Sequence, residues 1–441
     1  MAKETASVQS PELYVPSTRP AKQTTFREWV LVNQIGISLT ILAMLLALHN
    51  LYPLLRPHTQ PFFELSYYDA ATNSYVQGWN DVYFVVSAVL ALIAIRAIAI
   101  EWILQPLARR AGLKRKGAVR LAEQGSQALY YGFIWGVGLY LWKNSQYWFD
   151  LDAIWDQWPA RPLSGLMKWY LLVELSFLIQ QIFVIHAEER RKDHYQMLSH
   201  HFITCTLLSS AYIYGFYNVS NVVLCLMDIV DFLLPSAKIL KYLKFQNACN
   251  VAFGIFMSTW FVTRHILYNV LTWSIHKNIP AKTPYGCYTD GKMTSTNGYP
   301  NALAYMFAPF QSLENPICMN ATIKWIFLAF LMSLQVLSIV WFTMIVRVAY
   351  GVICTGAADD SRSDEEDEVE INDEEATNGS VRLAAKESVS ATPTVNDAAP
   401  SLGRRRSNGA GSMRARGRGR VPFDQSDRKA LLGRIGCDKP T

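Results

Sequence analysis

The sequence predicts an all-α polytopic membrane protein of about eight spans, and three observations predict it. Long apolar runs alternate with short charged loops from Trp29 to Val352. Those runs are too long and continuous for barrel strands, and only helices or closed barrels satisfy every backbone group inside a bilayer. Lys and Arg gather in a few loops and in the tail, as membrane topology requires and nucleic-acid binding does not. Of 441 residues, 51% are apolar and 13% aromatic. The mean hydropathy is nevertheless near zero, because polar tails dilute the apolar middle.

Residues 1–25 read as a polar cytosolic tail with no cleavable signal, so the first span, Trp29–Leu51, acts as an uncleaved anchor. Region 26–122 holds this span, the second at Val82–Leu104, and a basic loop. Further spans are drawn at Ala128–Trp142, Leu166–His186, His201–Phe216, Val222–Leu240, Val251–Ile275 and Ile323–Val352. The third and fifth are short for a core of ~30 Å. Arg109-Arg110 with Lys114-Arg115-Lys116, then Arg190-Arg191-Lys192, then Lys238, Lys241 and Lys244 follow the second, fourth and sixth spans. They share one side with both termini, and the positive-inside rule makes that side the cytosol.

The intervening loops, Tyr52–Asp81, Lys143–Gly165 and His276–Thr322, are then luminal, with Trp148, Trp155 and Trp158 as an interfacial aromatic belt. Cys287 and Cys318 fall in the last of them, where they can pair or remain thiols, and the two readings stand level. The seven Cys show no metal-ligand spacing, so no metal site is expected. The sequons at Asn218 and Asn320 lie too close to spans for glycosylation.

Segment 356–441 carries an acidic block, Asp364–Glu375, and a basic one, Arg404–Arg420, with few large apolar residues between them. Such a tail buries too little surface to fold and reads as disordered. Ser361 and Ser363 precede the acidic run in a pattern acidophilic kinases favour; a phospho-switch and a plain solvated tail both fit. The basic block suits anionic lipid headgroups.

Four ionisable residues in the apolar middle stand out: His200 and His201 where a charged segment enters a span, and Asp228 and Asp231 in the next. Ionisable groups inside a bilayer are costly and read by default as functional. The two carboxylates share a helix face at i and i+3. With the turn near Val219, Asp231 lies about 12 residues past it and His201 about 18 before it, a depth mismatch of about 9 Å. Asp231 is then nearer the histidines and Asp228 deeper. A carboxylate can orient an imidazole there, and a structural boundary role fits as well. Arg96 with Glu101, Glu174 with Gln180 and Gln181, and Arg264 with His265 read as interhelical pairs or cavity lining. No phosphate loop, paired CxxC or Gly-x-Ser-x-Gly elbow occurs.

Glu188-Glu189-Arg190-Arg191-Lys192-Asp193-His194, His200-His201 with Thr204, and Asp228-x-x-Asp231 with Ala237-Lys238 resemble the Lag1 motif of ceramide synthases. The region from about Glu123 to Tyr350 is similar to a TLC (TRAM–Lag1–CLN8) domain, which makes 123–355 a TLC-type helix bundle or barrel. Gly165-Leu166-Met167-Lys168-Trp169-Tyr170 and Met227-Asp228 resemble the fungal members. Two positions depart from the common pattern: Met227 replaces a frequent His, and Leu234-Pro235 replaces Leu-Glu, so Pro235 should kink its helix.

The resemblance implies transfer of a fatty acyl group from acyl-CoA, as co-substrate, to the amine of a sphingoid base in the endoplasmic reticulum membrane. It implies no tightly bound cofactor, and as partners membrane lipids, a second copy and a small single-span accessory subunit. His200 or His201 would act as nucleophile through an acyl-imidazole or as general base, with Asp228 or Asp231 in support. Arg190, Arg191, Lys192, His194, Lys238, Arg264 and His265 form the candidate substrate-binding set. CoA is a polyanion suited to the basic face, while lipid chains need an apolar tunnel. A non-catalytic lipid sensor or chaperone on the same fold and a proton-coupled transporter are the rival readings.

Overall fold

A computed structural model describes residues 29–30, 32–156, 158–159, 161–187, 193–289, 292–295, 302–312 and 316–355. Arg190, Arg191, Lys192, Ser361 and Ser363 lie outside the described residues, as do the N-terminal tail and segment 356–441.

Helix α1 covers Gln34–Leu51. After a loop with the two-stranded ribbon of β1 (Tyr68–Asp69) and β2 (Ser74–Tyr75), α2 runs Asp81–Arg110 through a π-helical stretch at Ala99–Leu104. Its first turn holds Asp81 and its last Arg109 and Arg110, charges that complement the helix dipole. Next come α3 (Arg115–Lys143), α4 (Gly165–Ala187), α5 (His194–Ile213) and α6 (Tyr217–Tyr242). Ser164 Oγ accepts the Met167 N–H at the start of α4, an N-cap contact. Helices α7 (Gln246–Trp260) and α8 (Tyr268–Lys282) are joined through a second π-helical stretch, Phe261–Leu267. A small sheet, β3 (Gly286–Thr289), β4 (Lys292–Ser295) and β5 (Ile317–Met319), precedes and follows α9 (Ala302–Gln311). The long α10 (Ala321–Thr355) ends the described chain. A disulfide joins Cys287 on β3 to Cys318 on β5.

Among the described residues four helices are long and apolar enough to cross a membrane: Gln34–Leu51, Asp81–Arg110, Gly165–His186 and Ala321–Gly351. The other four rods are α3, α5, α6 and α7–α8. They carry the His, Asp, Asn, Thr and Arg residues that dilute an apolar window. The third and fifth spans, drawn short from sequence, lie in helices of 29 and 20 residues. Their polar ends continue the helix where hydropathy stops. Pro235 sits inside α6, which runs unbroken to Tyr242.

Neighbour contacts close six rods into a ring, in the order α3, α4, α5, α10, α7–α8, α6 and back to α3. Helix α2 packs on α4 and α3 outside it, and α1 on α2. Turns alternate between a basic face, holding Arg109, Arg110 and Lys244, and a loop face holding the described parts of segments 52–80, 144–164 and 283–320. Gly138 brings α3 close to its neighbours: a Cβ there would meet Tyr170 Oη at 2.6 Å and Cys225 Sγ at 2.9 Å. Asn221 Nδ2 uses this approach to donate to Gly138 O at 3.1 Å. On the loop face, fully buried Lys168 pairs with Asp81 at 2.7 Å and donates to Ser66 O and Val76 O, both at 2.8 Å. Asp81 also accepts from Tyr212, and Tyr217 donates to Gln77.

Candidate active site inside the helix ring

The turn between α5 and α6 is Tyr214–Phe216, with Gly215 at φ 73°, and not near Val219 as the sequence suggested. His201 lies about 12 residues before the end of α5, Asp228 about 11 and Asp231 about 14 after the start of α6. At ~1.5 Å per residue those depths are about 18, 17 and 21 Å. The 9 Å mismatch disappears. Asp228 and Asp231 bracket the histidine level, and the site lies near mid-helix instead of at the basic boundary.

All six rods of the ring line one pocket. Its polar end is formed by Glu174 of α4, His200, His201 and Thr204 of α5, Asp228 and Asp231 of α6, and Arg264 of the second π-helical stretch. Arg264 Nη2 donates to Asp231 Oδ2 at 3.2 Å and to Met227 O at 3.1 Å, while its guanidinium lies 4.4 Å from the Trp260 ring centre. A π-helical turn widens the ring of backbone atoms and redirects side chains, a feature common at functional sites. Here it turns Arg264 inward and His265 toward α10.

Glu174 and Asp228, 1% and 4% exposed, bring their carboxyl groups close enough to interact. Two carboxylates so placed repel each other unless a proton is held between them. Each keeps one oxygen, Glu174 Oε1 and Asp228 Oδ2, with no partner among the described residues. The Nδ1 atoms of His200 and His201 are likewise unpaired among these residues, although Asp231 was a candidate to hold an imidazole. Its charge is taken by Arg264 instead. The two imidazoles lie 5.3 Å apart, and the Trp341 ring of α10 meets His200 edge-on at 5.2 Å. Thr204 donates back to His200 O and His201 O, so it braces the helix instead of facing the rings.

The remaining pocket wall is mostly apolar, with Leu207, Leu208, Val223, Leu331 and Leu334 among its residues beside Ser220 and Ser338. Its far end is closed by Trp155, Phe216 and Ile279. Trp155, assigned from sequence to an interfacial belt, is 2% exposed. Loop 144–164 folds inward because Asn278 donates to Asp152 at 2.8 Å and Lys282 pairs with Asp156 at 2.8 Å. Burial brings together cationic, imidazole and carboxyl groups at one end of an apolar slot, where electrostatic interactions are strong.

Several candidates lie elsewhere. His194 sits at the start of α5 beside His186 and Tyr195. His265 bonds Gln335 at 3.0 Å and packs on Phe342, outside the pocket wall. Lys238 is near the basic end of α6. Sequence reading placed Glu174 only in a loose pair with Gln180 and Gln181 and did not single out Trp341. An intramembrane carboxylate was the signal for Glu174; its tie to Asp228 needed the ring. Among the described residues no group of three or more His, Cys, Asp or Glu is arranged to hold a metal ion.

The TLC domain family matches residues 120–347. The chain is 41% identical over 349 residues to the sphingosine N-acyltransferase-like protein ALT7 of Alternaria alternata, covering 78% of each chain. It is 37% identical over 350 residues to the sphingosine N-acyltransferase lag1 of Schizosaccharomyces pombe, covering 79% of this chain and 82% of that one. It is 36% identical over 346 residues to the ceramide synthase FUM18 of Gibberella moniliformis, covering 77% and 81%.

Proposed function

The chain belongs to the TLC domain family, and from that premise we propose that it is a Lag1-type ceramide synthase most like fungal members. It transfers a fatty acyl group to the amine of a sphingoid base. The observation that carries this reading is the pocket: an apolar slot for lipid chains that ends on two histidines, two facing carboxyl groups and an Arg–Asp pair. Acyl-CoA is the donor, docking its polyanionic part on the basic face and sending its chain into the slot.

The sphingoid amine arrives as an ammonium and gives a proton to the Glu174–Asp228 pair at the polar end of the slot. One imidazole, His200 in our preferred assignment, attacks the thioester carbonyl. The C–S bond breaks, CoA leaves as its thiol with the imidazole proton, and an acyl-imidazole remains. The free amine attacks that carbonyl, the C–N bond to imidazole breaks, and the amide is released. His201 acts beside it as general base. Arg264 holds Asp231 and adds positive potential where the carbonyl oxygen gains charge.

The eight rods of the fold act as eight spans in the endoplasmic reticulum membrane, with the basic face and both termini in the cytosol. Self-association and a small single-span accessory subunit complete the assembly, and Arg190, Arg191, Lys192, His194 and Lys238 contribute to CoA docking.

The test is mass spectrometry of the purified protein with acyl-CoA alone, then with dihydrosphingosine. An acyl adduct on His200 or His201 that disappears as ceramide forms is the expected result. His200→Ala and His201→Ala should each lower amide synthesis by about 100-fold or more. Undiminished synthesis in both variants would take the histidines out of the chemistry, and a wild-type protein that makes no amide would leave a non-catalytic lipid-handling role as the better account.

A further inference from the structure

Behind the blind end of the reaction pocket lies a second cavity, on the loop face, walled by groups such as Tyr140, Asn144, Ser164 and Asn218. Three residues line both cavities: Trp155, Phe216 and Val219. These shared residues are the partition between the two cavities. From this geometry we infer that Trp155 and Phe216 form the stop that sets the acyl-chain length the pocket accepts. The inference rests on the ceramide synthase reading above and adds to it a specificity-determining wall.

The distance to the wall follows from the helices. From His201 to Ala211 along α5 is about 15 Å, and from Arg264 to Ile279 along the α7–α8 rod about 22 Å, at ~1.5 Å per residue. An extended hydrocarbon advances roughly 1.25 Å per carbon, from bonds of ~1.5 Å at ~111°. The slot therefore takes about 12 to 18 carbons between the reacting carbonyl and the wall.

The wall is also held in place. Trp155 ends the short helical turn Ala153–Trp155, which the Asp152–Asn278 and Asp156–Lys282 contacts tie to α8. Phe216 meets Trp155 edge-on, with centroids 6.2 Å apart, and is stacked on Trp158 at 5.5 Å. Trp158 in turn donates its indole N–H to Tyr214 O at 3.0 Å. A chain longer than the slot must displace this braced aromatic layer, whereas removing one ring joins the two cavities.

The experiment incubates the full-length protein with dihydrosphingosine and a series of saturated acyl-CoAs of about 12 to 26 carbons, and reads the ceramides by mass spectrometry. Wild type should fall off beyond about 18 carbons. Trp155→Ala and Phe216→Ala should each raise the ratio of the longest to the mid-length products by about tenfold or more. Val223→Phe, on α6 one turn nearer the histidines than Val219, should shorten the limit by about 5.4 Å, or about four carbons. This variant keeps the wall intact and decides the matter if the alanine variants do not fold. A length profile that stays wild-type in Val223→Phe, or in a folded Trp155→Ala, overturns the inference while leaving the synthase reading standing. So does a wild-type protein that uses the longest acyl-CoA as well as the mid-length ones. A wild-type chain that forms no amide with any acyl-CoA overturns both.

Discussion

Arg264 reaches Asp231 at 3.2 Å and stacks on Trp260, so the charge of Asp231 is met before any substrate enters. Asp228 has no such cation and turns to Glu174, which leaves a carboxyl pair able to take a proton. In the proposed reaction the two aspartates of the motif are thus split between holding a cation and receiving a proton. Glu174→Gln should raise the KM for sphingoid base by about tenfold or more and leave the KM for acyl-CoA unchanged, because a charge-assisted contact to the ammonium is lost. Glu174→Asp should recover part of it. Arg264→Lys keeps the charge but not the fork that spans Asp231 and Met227 O, and should lower kcat more than it raises either KM. Steady-state kinetics with each substrate varied in turn checks both.

Two contacts decide how the helices close. Helix α3 meets α4 and α6 at Gly138, where backbone approach leaves no room for a side chain. Small residues at such crossings let membrane helices pack by van der Waals contact, which must replace the absent hydrophobic drive. Gly138→Val should pry α3 from α6, break the Asn221 bond and lower both thermal stability and activity, read by melting in detergent. The Lys168–Asp81 pair, 0% and 4% exposed, fastens the loop between α1 and α2 to α4. Lys168→Met leaves Asp81 buried without its cation and should cost about 3–5 kcal/mol. Lys168→Met with Asp81→Leu should cost less than Lys168→Met alone, since the uncompensated charge is gone. The same melting series distinguishes the two.

Across the whole molecule, the ring of six rods encloses a polar end and an apolar slot in one cavity, as the proposed chemistry requires. Its loop face is stapled by Cys287–Cys318, which spans 31 residues of sequence. Closing a loop of that length removes unfolded-state entropy worth about 3–4 kcal/mol in the chain-entropy account. Reduction, or Cys318→Ser, should therefore lower the melting temperature while leaving the reacting groups untouched. The residual activity at low temperature should stay near wild type.

Composition, loop charge and apolar run length determined on their own that the chain is a helical membrane protein and roughly where its rods lie. Helix formation and bilayer compatibility are local properties, read from windows of residues. The His-His and Asp-x-x-Asp pattern likewise marked four of the residues that meet in the pocket. Tertiary structure alone decided the rest. The turn at Tyr214–Phe216 set the carboxylates at the histidine level, because a shift of a few residues in a turn moves a helix by several ångströms. Closure of the ring joined Glu174 of α4 to Asp228 of α6, and folding of loop 144–164 turned Trp155 from a surface aromatic into a pocket wall. Those contacts join residues far apart in the chain, and their partners are fixed by packing geometry that no short window contains.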